Sequence, residues 1–447
     1  MLGQEKNPGQ LELFRASLSQ IINPEHVLVM LANLIPWKLL ETHFSKLYSK
    51  TGTPSHPIRL MTGILLLQRI YNLSDERITA LWQENPYFQF FCGKTSFQWQ
   101  QPCAASDLVH FRKRLGEQGM KLLFSLSIQL HKDKVAKAKE VLVDTTVQEK
   151  NITYPTDEKL YKRVIDRCNQ IAQRVGVKLR QSYRFMVKKL IYAKRYASKT
   201  VRSKEAKRVV NKLRTLAGRQ VRDLGRKLVA KGGDILEQFS EQLALMARVV
   251  EQERKDKTKV YSLHAPEVSC IAKGKSHPKY EFGAKVSLAV LPGSNVVVGI
   301  QSHRGDPHDC KTLLGSLEQA ELLAGRSFER VVVDKGYRGH NLKGKGVIIP
   351  GDRRERPPGE RRRYKASCRR RCGIEAIISH LKTDHRMGLN YLKGSLGDNL
   401  NALLSAIGFN MKLLLREIAQ GGIFLCLCIA GCKKEKELIR QFIFCRF

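Results

Sequence analysis

Two short apolar runs, each rich in β-branched residues and each holding an aspartate at its end, constrain this chain more than any other feature. EVLVDTTV covers residues 140–147, and RVVVDKGYRG begins at 330. Runs of this length and composition, bounded by polar residues, read as strands. Placed centrally in a sheet with helices on its faces, their ends and one helix face can converge on a single point. A third acid, Glu375, lies on a helix reading RRRCGIEAIISHLKTDHRM. There Ile374, Ile377, Ile378 and Leu381 follow i, i+3, i+4, i+7 and form the buried stripe. Arg371, Glu375 and Lys382 fall within about 40° of one another at 100° per residue, along the edge of that stripe.

Carboxylates only accept hydrogen bonds, and they suit hard divalent cations such as Mg²⁺. Two such ions about 4 Å apart can activate an attacking oxygen and stabilise a leaving one on the same phosphate. Asp144, Asp334 and Glu375 are therefore the candidate metal ligands, and Arg371 and Lys382 are suited to phosphate oxygens. Taken singly, each acid has a plainer reading: a turn or capping residue for the aspartates, an i, i−4 partner of Arg371 for Glu375. The argument rests on the three together, in this order.

Charge narrows the substrate. The 447 residues carry 79 Lys and Arg against 41 Asp and Glu, a formal net charge of +38, which favours polyanions. More than half of that excess is concentrated: Lys159 to Lys231 reads as helical and holds 24 Lys or Arg against Asp166, Glu205 and Asp223. Tyr161, Tyr183, Phe185, Tyr192 and Tyr196 interleave with it, a pattern suited to a surface lying along a phosphate backbone. No segment reaches the roughly 18 apolar residues of a membrane span; Ile423 to Ala430 is too short, and the N-terminus lacks a signal-peptide pattern. A cytoplasmic location is expected. Eleven scattered cysteines fit reduced thiols, and their spacing lacks the tight pairs of a zinc site.

Residues 1–135 read as helical. LSDERITALW carries Ser74 as an N-cap, and in SDLVHFRKRLGEQG Ser106 looks like a cap and Gly116 a stop. With Arg112, Lys113 and Arg114 on one helix, this segment suits either a helix-turn-helix DNA reader or a helical bundle with a basic surface. Beyond the basic stretch come a hairpin (YEFGAKVSLAV, then VVVGIQS), a helix over TLLGSLEQAELLAG, a short strand GVIIP and an Arg-dense loop, GDRRERPPGERRRYK. A helix over about 399–418 follows. The expected division is 1–135 helical, 136–420 a mixed α/β domain with a helical insertion at about 155–258, and a 421–447 tail.

These motifs resemble a family. VLVDTTVQ, VVVDKGYRG and IEAIISHLKTDHRMGLNYLKG are similar to the first-Asp, second-Asp and Glu segments of bacterial insertion-sequence DDE transposases of the group marked by a Tyr-Arg-Glu-Lys signature. NPYFQFFCG with FQWQQPCAASDLVHFRKRLG resembles their N-terminal helical domain, and the likeness runs over roughly 50–415. It implies an RNase H-like catalytic core, a mixed sheet flanked by helices. It further implies two Mg²⁺ ions (Mn²⁺ able to substitute) on Asp144, Asp334 and Glu375, with Arg371 and Lys382 as the signature's Arg and Lys. Hydrolysis at transposon ends and strand transfer into target double-stranded DNA, by a homodimer or larger assembly, would follow. The signature Tyr falls on Cys368, and DPHDCKTL keeps Pro307, Asp309, Thr312 and Leu313 of a family loop. A nuclease without joining activity and an inactive DNA-binding copy are the alternatives on the same scaffold.

Overall fold

The computed structural model describes residues 1, 16–197, 204–256, 258–272, 279–352 and 357–421, with the backbone alone for 195–197. The tail, including 423–430, lies outside the described residues. The chain opens with helices α1 (Leu18–Ile21), α2 (Val27–Leu34), α3 (Trp37–Ser45), α4 (Ile58–Ile70), α5 (Asp75–Glu84), α6 (Pro86–Phe91), α7 (Ala105–Gln129) and α8 (Lys132–Lys137). Strand β1 (Glu140–Lys150) leads into α9 (Asp157–Val175), α10 (Arg184–Ala197), α11 (Lys204–Lys231) and α12 (Gly233–Glu251). Then come β2 (Ser269–Ala272), β3 (Tyr280–Val290), β4 (Val297–His303), α13 (Asp309–Ala324), β5 (Arg330–Val332), β6 (Gly346–Ile348), α14 (Pro358–Arg371), α15 (Gly373–Asp384), β7 (Leu389–Asn390) and α16 (Gly394–Ala419).

Among the described residues these strands form one mixed sheet of order β2-β3-β1-β5-β6, with β4 against β3 and β7 against β1. β3 runs antiparallel to β1 from Leu142↔Val290 to Glu149↔Gly283, while β5 runs parallel to it and stops at Leu142↔Val332. The expected hairpin forms between β3 and β4, turning through Gly293 at φ 82°. Helix α13 ends where expected, on Gly325 in left-handed conformation.

One apolar cluster extends from Leu28 in α2, through the sheet, to Ile418 in α16. The helical N-terminal segment and the sheet thus share a core, joined by α16. Its Gly408 lets it cross α4 closely: a Cβ there would stand 2.9 Å from the Arg69 carbonyl oxygen. Asn410 pairs with the backbone of Val297 in both directions, at 3.0 and 2.9 Å, and donates to Ser127 Oγ at 3.1 Å. The insertion α9–α12 has its own core, from Leu160 to Val260.

Several expectations are corrected. Ser74 does cap α5, its Oγ accepting from the Arg77 N–H at 3.1 Å. Ser106, however, lies inside the first turn of α7, where the Asp107 carboxylate accepts from the Ala104 N–H at 2.9 Å. Gly116 does act as the expected stop: its φ of 57° is non-helical and separates two helical segments that continue one another as α7. Arg112 is buried and bound through both its terminal nitrogens to Asp75, so it faces no DNA. Lys113 stays exposed, and Arg114 lies 4.3 Å over the Tyr48 ring. Tyr161 and Tyr183 pack in or against the insertion core, while Phe185 and Tyr192 are exposed; the Tyr196 side chain is outside the described residues. The Arg-dense segment is helical from Pro358 onward, its 353–356 portion being outside the described residues.

Candidate active site

The register of the sheet brings the two aspartates together. Leu142 and Val332 are the last parallel partners of β1 and β5, so Asp144 and Asp334, each two residues further on, stand at the same level. Here the two strands part, the point at which an open α/β sheet forms a crevice. Asp144 sits within β1 and not at its end, because β3 pairs with β1 on past it. Asp334 opens a 3₁₀ turn, Lys335–Tyr337. On its β5 side, β1 is next paired at Glu149, by β7. Helix α15 packs on β1 and leads to β7, which places Glu375 over this gap. Ile374, Ile377 and Leu381 are its buried face, each contributing about 1.5–3 kcal/mol by leaving water; Ile378 is partly buried against the same core.

Arg371 is the hub. Its Nη1 lies 3.7 Å from Asp144 Oδ2, and its Nη2 lies 3.7 Å from Asp334 Oδ1 and 3.8 Å from Glu375 Oε1. Arg371 closes α14 and Glu375 lies in the first turn of α15. Cys372 between them keeps helical backbone, so the i, i+4 relation survives the break. The end of α14 is pinned to β1 through buried Glu140, which accepts from Ser367 Oγ at 3.0 Å and pairs with Arg370 at 3.0 Å and Arg330 at 2.8 Å. Lys382 stands two turns beyond Glu375 on α15, about 10 Å by helical rise, and is half-buried. Cys368, where the sequence resemblance led to the expectation of a tyrosine, is one turn before Arg371.

Asp309, at the start of α13, also belongs to this site although the sequence alone assigns it no role. Its Oδ1 accepts from Thr145 Oγ1 at 2.8 Å, beside Asp144, and from Lys285 Nζ at 3.1 Å. A Cβ on Gly336, two residues after Asp334, would stand 3.1 Å from its Oδ2. Only the family-like loop around it hinted at this, since its neighbours lie far off in sequence. Burial pushes the Asp144 carboxyl up to about 6, and the charges of Asp334 and Asp309 add to this; the Thr145 N–H and Arg371 act in the opposite sense. Fully buried Tyr337 stands close by, its phenol raised by burial and by Asp144 and Asp309.

The donor set is all carboxylate oxygen, as hard cations require. The rise at Asp144 comes first from burial of its charge, with Asp334 and Asp309 adding to it, and a cation at this place would offset both. At 3.7–3.8 Å the guanidinium is beyond hydrogen-bond reach of the three carboxylates and occupies the place of a counter-cation. The donor chemistry, though not yet the spacing, suits a divalent ion. As they stand, with Arg371 between them, no three His, Cys, Asp or Glu side chains among the described residues are close enough to hold one ion.

Residues 16–114 match the family profile of a transposase domain (DUF772), and residues 256–411 match that of the transposase DDE domain. The second segment contains Asp334, Arg371, Glu375 and Lys382; Asp144 lies between the two. A Rhizobium meliloti protein described as "Uncharacterized protein ORF8 in nfe locus" is 41% identical over 194 residues, covering 42% of this chain and 94% of that protein. No solved structure matches. No helix among the described residues is long and apolar enough to cross a membrane. A transposase domain ahead of β1 and a DDE domain that supplies the rest of the sheet and the Glu375 helix account for the chain on both sides of its insertion: it belongs to the insertion-sequence DDE transposases.

Proposed function

We propose that this transposase cuts and rejoins DNA at a site formed by Asp144, Asp334 and Glu375 in a core of RNase H-like type. The observation that carries this reading is the convergence of three carboxylates, from β1, the end of β5 and α15, on the one guanidinium of Arg371. Asp144, Asp334 and Glu375 would hold the divalent ions, two Mg²⁺ or Mn²⁺, which supply Lewis-acid activation and charge neutralisation at a phosphodiester. Arg371 offers a planar fork of donors to a phosphate oxygen, and Lys382 a point charge further along the same helix edge. Asp309, gripping Thr145, keeps the first aspartate's strand in place. Beside Asp334 a groove of about 780 Å³, lined by Lys335, Arg338 and His340 with one acid, Asp352, can take the flanking backbone on its basic side.

The reaction is phosphodiester hydrolysis at a transposon end, followed by attack of the freed 3′-hydroxyl on target DNA. Its substrates are double-stranded ends and target, and bringing two ends together calls for a dimer or larger assembly. The test is a labelled duplex carrying the DNA that flanks the gene, incubated with Mg²⁺ or Mn²⁺ and with the parent protein, Asp144→Ala or Glu375→Ala. Discrete metal-dependent nicking and joined products, lost in both variants while DNA binding persists, are expected. Nicking that survives in either variant would overturn the site assignment. Nicking that never yields joined products would reduce the activity to that of a nuclease, and tight binding without nicking to that of an inactive copy.

A further inference from the structure

The cations of the insertion differ sharply in whether they have partners. In α9, Lys162 lies 3.8 Å from Asp166, Arg163 reaches His264 at 3.2 Å, and Arg167 donates to Gln242 at 2.8 Å. Lys194 of α10 pairs with Glu158. On α11, Arg214 donates to the carbonyls of Val250 and Glu251 at 2.6 and 2.8 Å, and Lys227 lies 3.5 Å from Asp223. Lys204, Arg208, Lys212, Arg219, Arg222 and Arg226 behave otherwise. All six are exposed, and none has a side-chain hydrogen bond or ion pair among the described residues; Lys207 and Lys231 of the same helix are likewise exposed and without such a partner, but point to other sides of it.

These six are not scattered. At 100° per residue they fall, with exposed Thr215, inside an arc of about 80°, and from Lys204 to Arg226 the row rises about 33 Å. The opposite side of α11 buries Leu213, Leu216, Ala217, Leu224 and Leu228 in the insertion core. Neither acid of α11 lies in the arc: Glu205 is outside it in the first turn, and Asp223 turns to Lys227 and the Arg180 N–H. Like charges at i, i+4 oppose a helix, so a row of this kind works against the fold that presents it. A polyanion laid along it removes that repulsion. Its length is close to one turn of duplex DNA, about 34–36 Å.

We infer that α11 lays this row along the phosphate backbone of duplex DNA over about one helical turn, a sequence-independent hold separate from the carboxylate site. The identity of the polyanion rests on the reading of the chain as a DNA transposase.

The test compares three full-length proteins: the parent, the triple variant Arg219→Gln, Arg222→Gln, Arg226→Gln, and a control with Lys162→Gln, Arg163→Gln, Arg167→Gln. The control removes equal charge from partnered positions of the same insertion. Binding to a labelled mixed-sequence duplex is followed by fluorescence anisotropy across salt concentrations. The slope of log K against log salt should flatten by about 2.7 in the row variant, about 0.9 for each phosphate no longer neutralised, and stay near the parent's in the control. The melting temperature of the row variant should not fall. Equal flattening in both variants, no flattening in either, or flattening on single strands alone would each overturn the inference. Cleavage dependent on Asp144 is measured on the same preparations. Retained cleavage with an unchanged slope refutes the row alone, whereas a flattened slope without cleavage in any preparation refutes the transposase reading alone.

Discussion

Replacing Arg112 with alanine separates a folding role from a DNA-binding one, because sequence and structure assign this residue differently. The Arg112 side chain is 4% exposed, and its two terminal nitrogens bind both carboxylate oxygens of Asp75 in α5, tying α5 to α7. Burial alone would raise the Asp75 carboxyl; the hydrogen bonds and charge of Arg112, together with the Gln68 amide and the charge of Arg69, reverse this and hold it below the usual carboxylate range. In Arg112→Ala, Asp75 keeps only the Gln68 amide and the more distant charge of Arg69. Breaking one side of such a pair costs about 3–5 kcal/mol, and with Asp75 partly solvated the lower end applies. Urea denaturation followed by circular dichroism should show this as a lowered midpoint. In a double-mutant cycle, Asp75→Ala should cost less in the Arg112→Ala background than alone, with a coupling of about 1–3 kcal/mol. The folded variant should keep the parent's salt slope of DNA binding. An unchanged midpoint with a slope flatter by about 1 would refute the reasoning and return Arg112 to the DNA surface.

Two further outcomes follow from buried groups. Asn410→Ala leaves the Val297 N–H and carbonyl without their partner and should cost about 3 kcal/mol, read as a lowered denaturation midpoint; Asn410→Asp, which would bury a carboxylate without a cation against the Val297 carbonyl, should not recover it. Buried His385, whose Nδ1 lies 2.8 Å from the Arg69 carbonyl, is pushed down by burial to about 4. The unfolded chain, titrating near 6.5, therefore takes up the proton first. Stability present above about pH 6.5 should decline by about 3 kcal/mol as the pH falls toward 4. Denaturation midpoints across that range check this, and His385→Gln should flatten the profile; an unchanged profile would refute it.

Much of the fold was legible because secondary structure follows local patterns. β-branched runs bounded by polar residues became β1, β3, β4 and β5; the i, i+3, i+4, i+7 spacing became the buried side of α15; the Pro-Gly-Ser-Asn turn became a hairpin. Strands β2 and β7 were missed, being four and two residues long and held by their partners on β3 and β1. The order of the three acids along the chain was equally legible, since strand, strand and helix can each be recognised without the others.

What the sequence determined by itself was therefore the kind and order of elements, the concentration of charge in one insertion, and the acids most worth watching. The tertiary structure alone decided which of these meet. That Asp144 and Asp334 stand level follows from the register of β1 against β5, and the central place of Arg371 follows from Glu140 anchoring α14. Asp309 joins the site only because β3 and β1 bring Lys285 and Thr145 to it. The same holds for the cations. Arg112 and Arg222 look alike in sequence, but one is buried against a carboxylate and the other is exposed. A charge's role depends on its partners and its access to water, and both are set by contacts between residues far apart in the chain.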